Sequence, residues 1–344
     1  MSAPAPSAWP SLLTRHAGNP VLSHRQCPFP ATTVFNAGVA RVAGRYVMVF
    51  RNDYGRWGDP VFDGTNIGLA TSVDGIAWEV HPRPVLDEEM ARAGMRHLYP
   101  ARFGPKFIKR IYDPRITVID GRALLCFAVD TLHGICGVVA ATEDFERYEF
   151  LSMTSPDCRN MVLFPEKIGG EYVRLERPFP VYMRPTPEAF PIWLSRSSDL
   201  CYWGKNVPVL GPDELPYVNN KIGPATPPVR TRAGWLTPIH AVWKDDTQRL
   251  CGWEERGWFK RYYAGLMLLD LDDPSRVVGL MRTPLLAPEA DYEVEGFRGS
   301  VIFPCGLILD ESSGEVRLYY GAADTSVALA SGHVDDLIAA CEPL

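Results

Sequence analysis

The chain has 344 residues, 46% hydrophobic and 11% aromatic, enough to bury a large core as one all-β domain or two average domains. A formal net charge of −6 argues against a general nucleic-acid binder, whose footprint would be basic. No apolar run approaches the ~18 residues of a membrane helix, and Met1-Ser2-Ala3-Pro4-Ala5-Pro6 lacks the charged and apolar regions of a secretory signal, so no membrane contact and a cytoplasmic location are expected.

In chain order, residues 1–18 read as an N-terminal extension, and residues before Gly44 are expected to supply a strand that closes the structure. Helical periodicity is confined to Leu86 to Ala93, which Gly94 would stop, and Val334 to Cys341 in a C-terminal helical segment, 334–344. Elsewhere a glycine turn leads into an apolar β-run, at Gly44, Gly121, Gly170, Gly234 and Gly314. Three of these units continue into a small-residue strand, an acidic turn and an aromatic: Asp74 with Trp78, Asp144 with Tyr148, Asp199 with Trp203. The copies at Tyr263 to Asp270 and Val327 to Gly332 are degenerate. Five units at about 50- to 80-residue spacing predict a five-bladed β-propeller in a single domain, 1–344. A β-sandwich is the alternative and explains the recurrence less well.

Eight scattered cysteines, including Cys126 and Cys251, form no CxxC pair and read as free thiols in a reducing compartment, although an even count leaves disulfides open. Seven histidines show no metal-ligand spacing, so no metal is expected. Glycine-rich nucleotide loops and the GxSxG elbow are absent.

Asp113 stands just ahead of a β-run, and Pro114 biases it toward extended or turn backbone. With Arg110 and Arg115 beside it, a turn aspartate with a salt-bridged arginine is the simpler local reading. A propeller, however, gathers the ends of its inner strands at one axis. Asn36, Arg51, Asp113, Arg159, Asn160, Lys167, Arg177, Lys221, His240 and Asp324 occupy such positions. Taken singly each is more simply a solvated surface group; together they would line a funnel suited to an anion. Trp57, Tyr112, Tyr217 and Trp253 are surplus aromatics that suit sugar stacking.

Tyr112-Asp113-Pro114-Arg115-Ile116-Thr117 resembles the signature of glycoside hydrolase family 130, the inverting β-mannoside phosphorylases. Further blocks similar to that family follow in order: Arg159 to Gly170, Arg177-Pro178, Lys221 to Pro228, Trp235 to His240, Val301 to Pro304 and Tyr319 to Thr325. The resemblance runs from about Asn19 to Asp336.

It implies that Asp113 is the sole catalytic acid, acting directly or through the mannose 3-hydroxyl. It also implies that Arg159, Asn160, Arg177, Lys221 and His240 bind phosphate, and that Asn36, Arg51, Tyr112 and Asp324 contact substrate. The expected partners are a β-mannoside oligosaccharide and inorganic phosphate as co-substrate; no cofactor is expected, and a homo-oligomer is left open. An inverting hydrolase needs two carboxylates, whereas a phosphorylase has an anionic nucleophile and needs one acid and a cationic cradle. Asp113 should then have a raised pKa, against the pull of its arginines. A hydrolase of the same family and a non-catalytic sugar-binding propeller are the competing readings. Two departures bear on substrate: Glu176 stands where members often carry His or Ser, and Gly299-Ser300 where Asn is frequent. Phe179 to Glu188 and Lys244 to Arg261 read as loops that shape the leaving-sugar side.

Overall fold

The computed structural model describes residues 9, 11–56, 62–99, 107–180, 188–247, 250 and 258–344. Trp57, Trp253, Cys251 and parts of the two loops expected at the leaving-sugar side lie outside the described residues. After a two-residue strand, β1 (Thr14–Arg15), the first sheet comprises β2 (Thr33–Val42), β3 (Arg45–Tyr54), β4 (Gly64–Ser72) and β5 (Glu79–Val80). The second comprises β6 (Ile108–Ile119), β7 (Arg122–Thr131), β8 (Gly134–Thr142) and β9 (Glu149–Met153). The third comprises β10 (Cys158–Leu163), β11 (Tyr172–Pro178), β12 (Ile192–Ser197) and β13 (Gly204–Leu210). In the fourth, β14 (Ile222–Pro224) and β15 (Val229–Thr231) both pair with β16 (Gly234–Lys244), followed by β17 (Lys260–Leu269) and β18 (Val277–Leu280). The fifth holds β19 (Ile302–Leu309), β20 (Glu315–Ala322) and β21 (Ser326–His333), and β22 (Glu342–Pro343) returns to the fourth sheet beside β18. These are the five blades of a β-propeller.

Local chemistry accounts for the repeat. All five glycines that open the β-runs sit at positive φ, from 74° to 145°, where a side chain would be strained. The acidic turns close on themselves. Asp74 accepts from the amides of Ile76 and Ala77, Asp144 from Glu146 and Arg147, and Asp199 from Cys201 and Tyr202. Those amides are the main cause that holds the Asp74 and Asp144 carboxyls down to about 2. The following aromatic seals the turn, as Trp203 does by donating to the carbonyl of Leu200.

The core lies between blades. Val49, Ile67 and Leu69 of the first blade pack with Ile111, Leu125 and Val138 of the second, and Val39 and Met48 pack with Tyr319 and Leu329 of the fifth. Inner strands are therefore buried on both faces and read as continuous apolar runs rather than alternating ones. Tyr217, expected as a possible stacking platform, is instead a core residue set edge-on to Tyr263.

The helices are α1 (Glu88–Gly94), α2 (Asp291–Val294) and α3 (Val334–Ala339). Gly94 ends α1 from inside, and a Cβ there would collide with the Phe150 ring. The single turn of α2 is too short for a periodic signal.

Within the stretch read as an extension, β1 pairs with β21, so the N-terminus completes the last blade. Arg15 on β1 grips the buried Glu293 of α2 through two hydrogen bonds of 2.8 and 2.9 Å, and the Tyr320 hydroxyl donates to the same carboxylate at 2.7 Å. Removing one partner of a buried pair strands the other. Glu293→Ala should therefore destabilise the protein by about 3–5 kcal/mol in urea unfolding; a loss below about 1 kcal/mol, the worth of an exposed pair, would contradict this role for the closure.

Candidate active site

Three inner strands carry the same irregularity. The ladder slips between Phe35 and Gly38 on β2, between Tyr112 and Arg115 on β6, and between Arg159 and Val162 on β10. At each slip one extra residue makes a bulge, and its first residue is left-handed: Asn36 at φ 48°, Asp113 at 55° and Asn160 at 59°. Asn and Asp tolerate this conformation best among residues with a side chain, at a cost of order 1–3 kcal/mol each. The bulge turns these three side chains out of the interblade core and into the central funnel.

Neighbouring elements hold the bulge of β6. Arg115 is almost fully buried, and its guanidinium donates to the backbone carbonyls of Asp113 (3.2 Å), Pro114 (3.1 Å) and Ala225. It positions the turn rather than pairing with the Asp113 carboxylate. Gly38 permits the approach of the first blade, since a Cβ there would lie 2.9 Å from the Arg115 Cα and the Ile116 amide nitrogen.

One cavity collects every residue that the sequence assigned a role: Asn36, Arg51, Tyr112, Asp113, Arg159, Asn160, Arg177, Lys221, His240 and Asp324. Lys167 is the exception among the wider candidates. It sits exposed in the turn before β11 with its ammonium 4.5 Å from the Tyr172 ring centre, at the other end of its hairpin.

The acid side is built around Arg51. The Asp113 carboxylate accepts from the Asn36 amide at 2.9 Å and from Arg51 at 3.3 Å. Arg51 also forks onto the buried Asp53 at 2.9 and 2.7 Å and lies over the rings of Phe35 and Tyr112. Tyr112 offers its ring to this stack, while its hydroxyl is committed to Asp130 at 2.7 Å. The expected rise of the Asp113 pKa is not found. Burial does push it up, but Arg51, Arg115, the Asn36 hydrogen bond and Arg159 together hold it below the usual carboxylate value. Asp324 moves the other way, up to about 6. Burial is the main cause, Asp113 and Asp53 add to it, and Arg298 and Arg51 oppose it.

The opposite side is a cluster of cations. Arg159 and Arg177 are cross-strand partners on β10 and β11, Lys221 precedes β14, and His240 lies on β16. His240 Nε2 accepts from Arg177 at 3.2 Å and lies 3.4 Å from the Asn160 amide, with its ring stacked 4.6 Å from Phe303. Among the described residues, no carboxylate forms an ion pair with Arg159, Arg177 or Lys221. Arg159 Nε, Arg177 Nε and His240 Nδ1 are buried without a partner. Burial followed by Arg177 drives both Lys221 and His240 well below their ordinary values, and burial followed by Arg159 lowers Arg177 to about 9. Buried charge of one sign with unsatisfied donors is a site built to receive an anion.

Trp258, Tyr262, Arg298, Val301 and Phe303 also line the cavity, and the sequence gives none of them an individual role, although Val301 lies in a block that resembles the family and Trp258 in a loop expected at the leaving-sugar side. Trp258 stacks parallel to Tyr262 at 6.0 Å, and Arg298 lies 5.1 Å from the Trp258 ring centre. Phe303 falls inside a block that resembles the family, which was its only signal; Tyr262 precedes a repeat copy too degenerate to mark it. Among the described residues no group of three or more His, Cys, Asp or Glu is placed to hold a metal ion.

Comparison with known proteins gives a consistent picture. Residues 17–343 match the family model of glycoside hydrolase family 130, described as β-1,4-mannooligosaccharide phosphorylase. A β-1,4-mannooligosaccharide phosphorylase from Ruminococcus albus is 31% identical over 97% of this chain and 92% of its own. A 1,2-β-oligomannan phosphorylase from a Thermoanaerobacter species is 28% identical over 94% and 98%. The solved β-1,2-mannobiose phosphorylase from Listeria innocua, in complex with β-1,2-mannobiose, superposes with a TM-score of 0.76 at 25% identity, covering 95% of this chain and 98% of that one.

An oxyanion should stabilise the protein against heat by filling the cluster. Sulfate titrated in a melting assay should raise the Tm, and Arg177→Ala should weaken that response about 10- to 100-fold, the worth of a charge-assisted hydrogen bond. Lys167→Ala is the control and should leave it unchanged; equal loss in both variants would remove Arg177 from the anion site.

Proposed function

The chain belongs to glycoside hydrolase family 130, and we propose that its cavity carries out phosphorolysis of β-mannosides by a single acid working across from a bound phosphate. It is a β-mannoside phosphorylase, an enzyme that transfers a mannosyl unit to inorganic phosphate. The observation that carries the mechanism is the asymmetry of the cavity. The carboxyls of Asp113, Asp53 and Asp324 all gather around Arg51, whereas among the described residues no carboxylate lines the cavity on the Arg159–Arg177–Lys221–His240 side. An inverting hydrolase needs its second carboxylate ~6.5–9.5 Å from the acid, on the side where water attacks. Here that side suits a phosphate dianion.

In this reading phosphate sits among Arg159, Asn160, Arg177, Lys221 and His240, and Asn36, Arg51, Tyr112 and Asp324 bound the mannosyl unit. A phosphate oxygen attacks the anomeric carbon as the bond from that carbon to the glycosidic oxygen breaks. The leaving sugar takes the proton that Asp113 supplies, directly or through the mannose 3-hydroxyl. Attack from the opposite face inverts the centre and gives α-mannose 1-phosphate. Asp113 is ionised in the free protein, because cations hold its pKa down. A dianion beside Arg159 offsets those cations, raises Asp113 and lets it load a proton before the sugar bond breaks.

A β-1,4-linked manno-oligosaccharide is the first substrate to test, since the family description and the R. albus relative both carry that linkage. β-1,2-Mannobiose and mannosyl-glucose come next, as the substrates named for other relatives. A reducing, cytoplasmic setting suits the seven described cysteines, all of them free. No described helix is long and apolar enough to cross a membrane.

Purified protein incubated with each disaccharide and followed by phosphorus NMR should form α-mannose 1-phosphate, and only when phosphate is present. Free mannose released without phosphate would mean hydrolysis instead. Asp113→Asn should lower kcat by about 10²- to 10⁴-fold with an unchanged melting curve; full activity would remove Asp113 as the acid.

A further inference from the structure

We propose that a cleft beside the third blade is a second sugar-binding site, which holds pyranose rings of a β-mannoside oligosaccharide outside the reaction cavity. The identity of the sugar rests on the phosphorolysis reading; the existence of the site rests on its own geometry. The cleft encloses about 670 Å³, within the ~300–1,000 Å³ usual for small-ligand sites. It shares a wall with the reaction cavity. Cys158 and Glu176 line the cleft, while Arg159 and Arg177, next to them on the same strands, line the cavity, as the alternation of a strand requires.

The two sides of that wall differ in charge. At the base of the cleft Arg174 and Glu176 are both buried and paired at 2.8 Å, with the Cys158 thiol 3.5 Å from the Glu176 carboxylate. Arg174 also donates to Ser195 at 2.9 Å. The pair cancels its own charge and Asp157 adds a further carboxylate to the wall, so the cleft lacks the uncompensated positive field that draws an anion into the cavity. What remains is a guanidinium and a carboxylate side by side with spare donors and acceptors, the complement of vicinal hydroxyls on a neutral ligand.

Aromatic rings complete the site. The Arg174 guanidinium carbon lies over the Trp203 ring, 4.1 Å from its centre, and Trp193 stands opposite Glu176 on the neighbouring strand. Tyr202 projects at the rim, 82% exposed, yet its backbone amide is pinned by Asp199 at 3.0 Å. A large ring carried into water by a fixed turn presents a face against which the apolar face of a sugar can stack. Glu176 is also one of the two positions at which the chain departs from the pattern it otherwise resembles, and the reaction gives it no task.

Tryptophan placement makes the test site-resolved, because Trp193 and Trp203 report the cleft and Trp258 reports the reaction cavity. The full chain carrying Asp113→Asn is labelled with 5-fluorotryptophan, its fluorine resonances assigned by single Trp-to-Phe variants, and titrated with β-1,4- and β-1,2-mannotetraose. The Trp193 and Trp203 resonances should shift saturably, and Tyr202→Ala should weaken that response about 2- to 10-fold without altering the response of Trp258. Shifts at Trp193 and Trp203 with Trp258 still would uphold the cleft and count against the reaction reading. Stationary cleft resonances with both sugars, whatever Trp258 does, would overturn the proposal.

Discussion

Arg159, Arg177 and Lys221 are brought together in a buried space with no carboxylate partner among the described residues, an arrangement that an anion would relieve. Desolvating like charges side by side is among the more costly things a fold can do. Lys221 and His240 are pushed well below their ordinary values, the direction expected when burial and neighbouring cations are left uncompensated. Arg159 alone of these cations reaches across to Asp113, where it joins Arg51, Arg115 and Asn36 in holding the carboxyl below its usual value against burial, so acid and cradle are linked through it. The chemistry follows from that coupling: the entering anion is at once the nucleophile and the switch that lets the acid take its proton.

Geometry for this unit comes from a repeated backbone device. A bulge at the same level of β2, β6 and β10 delivers Asn36, Asp113 and Asn160 to the axis, each in left-handed backbone. Arg115 is used on the backbone of the second of these bulges, and Gly38 gives up its side chain so that the first blade can press against it. Because the cores lie between blades, ring closure by β1 and the Arg15–Glu293 pair bears on the site although both are remote from it. Loosening any interblade core would move strands that carry site residues.

Features that depend on a few consecutive residues were legible before any coordinates. The glycine turns, the Asp74, Asp144 and Asp199 turns and the blade number belong to that class, since turn chemistry is local. Among the bulges only Asp113-Pro114 left a local mark; Asn36-Ala37 and Asn160-Met161 look like ordinary strand. Strand β1 is two residues long and α2 is one turn, too short for periodicity to speak. The direction of the Asp113 shift is hidden from local sequence because it turns on Arg51, Asn36 and Arg159, which come from other blades, as well as on Arg115. Tyr262 and Arg298 carry no sequence signal for a related reason: they enter the cavity from the fourth and fifth blades outside any clean repeat copy, and Trp258 is marked only by its place in the loop from Lys244 to Arg261.

The coupling of cradle and acid can be measured without any sugar. Calorimetric titration of the wild-type chain with phosphate at about pH 8, where inorganic phosphate is already the dianion, would be repeated in two buffers of unlike ionisation enthalpy. A bound dianion raises Asp113, Lys221 and His240 together, and a group whose pKa rises on binding takes up protons. One phosphate per chain with net proton uptake is the predicted result. Binding without uptake, release of protons, or no binding would contradict the account.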